Sequence, residues 1–153
     1  MKKLFLFTCL SALALTFNSC SDDDSAAAGG NGGSFTATIN GVQKTYNTVT
    51  VTEDAYEDGD EYLIVTGSEA GSADETIYLE IAKGETGTNA VWFAEITVGG
   101  ETHYATDINT NITVNSASQV KGTFSGTITE WSNEQQEEVL VLTVANGSFE
   151  ANY

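Results

Sequence analysis

The chain has 153 residues, with 22 acids against five lysines, no arginine, no proline and a formal charge of −17. Nucleic acid is excluded as a partner, because phosphate recognition needs clustered Lys and Arg, and bidentate guanidinium recognition of anions is excluded with it. Abundant Gly, Thr, Asn and Ser beside 41% hydrophobic residues suit an exported, β-rich protein.

The chain opens on Lys2-Lys3 and then runs apolar from Leu4 to Phe17, interrupted only by Thr8, Ser11 and Thr16. At about 14 residues the run is shorter than the roughly 20 needed to span a bilayer. Length and flanks match the core of a secretory signal. Small Ser19 precedes Cys20, so residues 1–19 read as a lipoprotein signal peptide cut between Ser19 and Cys20. Cys20 then becomes the first residue and carries the lipid: a diacylglycerol on sulfur, with a further palmitate-type chain on the amine. Two or more acyl chains anchor stably where one is marginal. An ordinary signal with another cut site and a free Cys20 is the alternative. Cys9 leaves with the leader, so no disulfide is expected and stability must come from an apolar core. Cutting before Cys20 leaves three lysines against 22 acids, a charge of −19. Anionic headgroups would repel such a domain, so lipid alone is expected to hold it to the membrane.

Residues 20–33 read as the lipidated Cys and a disordered acidic, Gly-rich tether, for they carry no apolar periodicity. As a flexible coil its reach is about 20 Å. Ser21, Asp22, Asp23 and Asp24 resemble the surface-export signal of Bacteroidota lipoproteins. That resemblance implies the outer membrane, facing the exterior, with the periplasmic face as the alternative. A solvated charge run is the plainer reading. Asp24-Ser25-Ala26 resembles the short O-glycosylation motif of the same phylum, which makes Ser25 a candidate acceptor.

Residues 34–153 alternate with period two and read as one all-β domain. Phe35, Ala37 and Ile39 face one way, and Asn40-Gly41 is a type I′ hairpin signal leading into Val42 to Tyr46. Thr48 to Glu53, a hairpin at Asp58-Gly59, Tyr62 to Thr66, and Thr76 to Ala82 follow. Ala90 to Val98 places Trp92 on the apolar face with Ala94, Ile96 and Val98. Gly99-Gly100 turns it into Glu101 to Asp107. Ile112 to Val114 is short. Val120 to Trp131 is long, and alternates large residues with Gly122 and Gly126, against which an aromatic ring (Trp92 is the candidate) could lie. Val139 to Ala145 is apolar on both faces, and Asn146-Gly147 is expected to turn it into Ser148 to Tyr153. About nine short strands with tight turns predict a single antiparallel β-sandwich or barrel.

Chemistry is sparse. The lone His103 has its nearest same-face acid, Asp107, four residues on, roughly 13 Å away along a strand. It reads as a surface or edge-strand histidine, and the domain as non-catalytic. The acidic run Glu53 to Glu61 makes Asp54, Asp58, Asp60 and Glu61 candidates for a weak Ca²⁺ loop. The EF-hand pattern itself fails, since Tyr56 and Val65 occupy ligand positions. No other cofactor is implied. Among the aromatics, Tyr78 and Trp131 fall opposite the apolar series of their strands and are the candidates for an exposed binding patch.

Val120-Lys121-Gly122-Thr123-Phe124-Ser125-Gly126, Asn146-Gly147-Ser148-Phe149 and the opening strand Thr36-Ala37-Thr38-Ile39-Asn40-Gly41 resemble motifs of small uncharacterised Bacteroidota surface lipoproteins. The resemblance implies an all-β fold and a lipid-anchored location, with no activity attached. The expected function is therefore binding, of glycan, protein or a small ligand. The alternatives are an accessory subunit of an envelope assembly and a Ca²⁺-dependent adhesion module.

Overall fold

The computed structural model describes residues 32–69, 72–105 and 107–153. The leader, Cys20, Ser21 to Asp24 and Ser25 lie outside the described residues. Ten strands run in chain order: β1 (Gly33–Ile39), β2 (Val42–Tyr46), β3 (Thr48–Ala55), β4 (Glu61–Ser68), β5 (Glu75–Ala82), β6 (Val91–Val98), β7 (Glu101–Tyr104), β8 (Ile108–Asn115), β9 (Gln119–Ser132) and β10 (Glu137–Asn152). They form two antiparallel five-stranded sheets, β2-β1-β10-β9-β8 (sheet A) and β3-β4-β5-β6-β7 (sheet B). Every hydrogen-bonded pair is consecutive in sequence except β1 with β10, so the chain is an up-and-down meander. It passes from sheet A to sheet B after β2 and returns after β7.

β8 meets the end of β5 and the β5–β6 loop of the other sheet: Ile112 bridges Gly87, and Asn115 donates to the carbonyls of Ala82 and Glu85 at 2.8 Å each.

Local chemistry explains the turns. Asn40 (φ 48°) and Gly41 (φ 80°) hold the left-handed conformations of the expected type I′ hairpin. Asn40 also ties this turn to β10, its Oδ1 accepting from the Thr143 backbone N–H at 2.9 Å. The expected turn at Asn146-Gly147 does not form. Only Asn146 is left-handed (φ 51°), and β10 runs on through a bulge between Val144 and Gly147. The last two expected strands are therefore one.

The core lies between the sheets. Phe35 is fully buried at its centre, its ring 5.6 Å from those of Tyr46 and Phe149 and 5.5 Å from that of Phe124. The alternating glycines of β9 do seat a neighbour, but not Trp92. A Cβ at Gly122 would meet the ring of Phe149 and the end of Ile112, and one at Gly126 would meet the backbone at Asp107 and Ile108. Trp92 is 44% exposed instead. Glu80 pairs with Phe93 but Ile81 pairs with Val91, so Trp92 is the unpaired residue of a β-bulge and is turned out of the core.

Candidate functional site

The outer face of sheet B carries a continuous set of aromatic rings around one carboxylate. Leu63 and Val65 of β4, Ile77, Leu79 and Ile81 of β5, and Ala94 and Ile96 of β6 point inward. Strand alternation sends Tyr62, Tyr78, Glu80 and Phe93 outward. Cross-strand pairing then sets Glu80 beside Phe93, and Glu95 between Tyr78 and Tyr104.

Tyr56, from the β3–β4 loop, folds back over this face. Its ring stacks on Tyr62 at 4.4 Å and on Trp92 at 5.8 Å, each at 26°. Small Ala82 is the cross-strand neighbour of Tyr62. A second set continues across the sheet, with Tyr78 edge-on to Phe93 at 6.0 Å and Phe93 against Tyr104 at 5.8 Å. Glu80 joins the two sets. Its Oε2 accepts from the Tyr56 hydroxyl, and its Oε1 accepts from the Tyr78 hydroxyl at 2.7 Å. Tyr56 (41%), Trp92 (44%) and Tyr104 (59%) remain exposed.

Both phenols are held protonated. The hydrogen bond to Glu80 is the main cause that pushes Tyr56 up to about 12, with lost hydration next. Tyr78 is raised chiefly by lost hydration and then by the same carboxylate. In the core, burial and then Glu75 push Tyr46 up to about 12. A phenol whose folded pKa exceeds its unfolded value contributes stability that is complete below pH 10 and lost as pH climbs through the folded value. Stability is therefore expected to fall between pH 10 and about 12, with Tyr46 alone accounting for about 2–3 kcal/mol. Urea unfolding across that range, read beside phenolate absorbance, checks this. Normal titration of every tyrosine near pH 10 in the folded protein would contradict it.

Of the expected site residues, Tyr78 belongs to this face and Trp131 does not. Trp131 sits on β9 in sheet A, 59% exposed and cross-strand from Glu138. The two therefore form no patch. The expected calcium loop does not assemble either. Asp54 Oδ1 accepts from the Ala55 backbone at 2.8 Å, and Asp58 Oδ1 accepts from the Asp60 backbone at 3.4 Å. Glu61 pairs with Lys83 at 3.3 Å. Among the described residues no three His, Cys, Asp or Glu side chains are gathered to hold a metal ion. Like charges at a loop tip separate when backbone donors and a lysine satisfy them individually.

His103 is on an edge strand as expected, but it is buried (7% exposed) and its acid is not Asp107. Its Nδ1 lies 2.7 Å from Oε1 of Glu130, across from β7 to β9. The pair clasps the two sheets. Among the described residues no hydroxyl hydrogen-bonds to the ring, and Glu130 is its side-chain partner.

Sheet A presents a different outer face. An open groove of about 550 Å³ runs over Asn109, Asn111, Thr123, Ser125, Asn146 and Ser148. It is lined by these hydroxyls and amides together with Phe124, Ala145 and Gly147, and by no charged side chain. Comparison of the chain with protein-family models, with curated proteins and with solved structures gave no match.

Proposed function

We propose that this chain is a lipid-anchored lipoprotein of the outer membrane, facing the exterior, whose non-catalytic β-domain binds a ligand on the outer face of sheet B. The observation that carries the binding reading is the aromatic set Trp92–Tyr56–Tyr62 and Tyr78–Phe93–Tyr104 around Glu80. Aromatic rings left partly in water at such density are costly to solubility and are a mark of recognition surfaces. Trp92→Leu and Tyr104→Leu are each expected to weaken ligand capture while leaving near-UV dichroism of the core unchanged. Equal capture by both variants and the parent, read on arrays of glycans and peptides, would remove this surface from consideration.

The anchor rests on the leader and Cys20. Cys20→Ser is expected to move the protein from the membrane pellet to the soluble fraction. Retention in the pellet after alkaline carbonate washing would contradict lipid anchoring. Protease treatment of intact cells tests the outward orientation, and full protection of the domain would contradict it.

A second reading, an accessory subunit of an envelope assembly, draws on the β9–β10 hairpin. It extends past the ends of β8 and β1, with Trp131 and Leu140 about 60% exposed.

A further inference from the structure

Resting on the reading of sheet B as the binding surface, we propose that its occupant is a basic segment of a partner protein, whose lysine and arginine side chains lie on Tyr56, Trp92 and Tyr104 beside the carboxylates of Glu80 and Glu95.

Charge complementarity selects this chemistry. The three lysines among the described residues are paired with acids other than Glu80 and Glu95: Lys44 with Glu75, Lys83 with Glu53 and Glu61, and Lys121 with Glu150. Glu80 and Glu95 have no lysine partner among the described residues. A carboxylate that accepts from two phenols withdraws neither proton, yet it polarises both O–H bonds and enriches the attached rings in electron density. The negative ring faces of Tyr56 and Tyr78 are thereby deepened, and cations are attracted to such faces. Trp92 extends the surface. Its indole borders a groove of about 390 Å³ lined by Asp60, Glu61, Glu85 and Lys83, the lysine being already paired with Glu61 and Glu53. A cationic side chain stacked on Trp92 therefore lies near Asp60 and Glu85, the two acids of that rim without a lysine partner among the described residues. A formal charge of −17 adds long-range attraction for basic partners and repels anionic ones.

Openness decides between a free small cation and a segment of protein. An exposed cation–π contact strengthens binding by only about two- to fivefold. Three together give about 10- to 100-fold, short of the thousandfold that a millimolar complex requires. One ammonium ion therefore gains too little on this face, whereas a segment with several basic side chains engages the rings and the acid rim together.

The test uses the full chain in mild detergent and a fluorescent decapeptide alternating lysine or arginine with glycine, followed by anisotropy. The peptide is expected to bind, and to weaken at least tenfold between 50 and 300 mM salt. The double variant Trp92→Leu/Tyr104→Leu, which leaves the charge unchanged, is expected to weaken it about four- to twenty-fivefold further. Glu80→Gln is expected to weaken it at least threefold. Unchanged affinity in the double variant would reduce the effect to diffuse charge and overturn the proposal. So would tetramethylammonium competing as strongly as the peptide. A neutral oligosaccharide that needs Trp92, combined with indifference to the peptide, would keep sheet B as the binding surface and overturn the basic partner alone.

Discussion

Gly147→Ala is expected to destabilise the domain by about 3 kcal/mol or more, the upper end of what overpacking costs. A Cβ at this position would stand 2.5 Å from the carbonyl oxygen of Phe124 and 2.6 Å from two of its ring carbons. Gly147 pairs directly with Phe124 across β9 and β10, so relief requires the central strands of sheet A to separate. A flexible side-chain end could swing away, but a paired backbone cannot. Gly41 provides the contrast. Its φ is +80°, with nothing within 4 Å of a built Cβ, so Gly41→Ala meets only backbone strain of about 1 kcal/mol. Chemical denaturation of both variants separates clash from strain. A loss below 1 kcal/mol for Gly147→Ala would show that β9 and β10 yield easily at the bulge.

Phe35→Ala is expected to cost about 3–5 kcal/mol, as large-to-small changes in a sealed core do. The ring is fully buried, touches three other aromatic rings, and lies flat enough on Gly67 that a Cβ there would come within 2.7 Å of it. Tyr46, Phe124 and Phe149 belong to sheet A with it, while Gly67 belongs to sheet B, so the ring also couples the two layers. Its removal leaves a void that rigid neighbours on both sides cannot close. For a domain of about 120 residues the melting temperature is expected to drop by about 10–20 °C. Phe35→Leu, which keeps most of the volume, is expected to lose less than half as much. Equal losses for the two would mean that ring stacking, not filled volume, holds the layers.

The strands were legible because one face of each sheet is dry and the other wet. Alternation in Phe35–Ala37–Ile39 and Ile77–Leu79–Ile81 marks the inward face directly, and all six residues are buried. Turn chemistry was legible only where a dipeptide acts alone. Asn40-Gly41 and Asn146-Gly147 are the same pair, but only the first has both residues left-handed. In the second, the ring and carbonyl of Phe124 hold Gly147 in the ladder, and partner contact overrides the local preference.

Trp92 shows the corresponding limit for parity. A bulge is a property of two strands in register, and nothing within Val91-Trp92-Phe93 announces that one residue goes unpaired. A single unpaired residue moved the largest side chain of β6 from the expected core to the exposed site. Tyr62, Tyr78, Phe93 and Tyr104 were readable in principle. Each stands at the position opposite the buried series of its strand, and taking the four strands together marks one aromatic face. Tyr78 stands out on that ground. Trp131 satisfies the same rule in the other sheet, and alternation along one strand carries no information about which sheet a strand joins. The His103–Glu130 contact spans 27 residues and two sheets, so strand spacing could only exclude Asp107.

The two tryptophans supply an internal comparison for the central claim, that ligands bind on the outer face of sheet B. Their indole N–H signals can be followed together in one proton–nitrogen correlation spectrum while neutral oligosaccharides and basic peptides are added in turn. The Trp92 signal is expected to shift with the bound fraction while that of Trp131, on sheet A, stays in place. A ligand that shifts Trp131 and leaves Trp92 unmoved would contradict the assignment of sheet B as the binding surface.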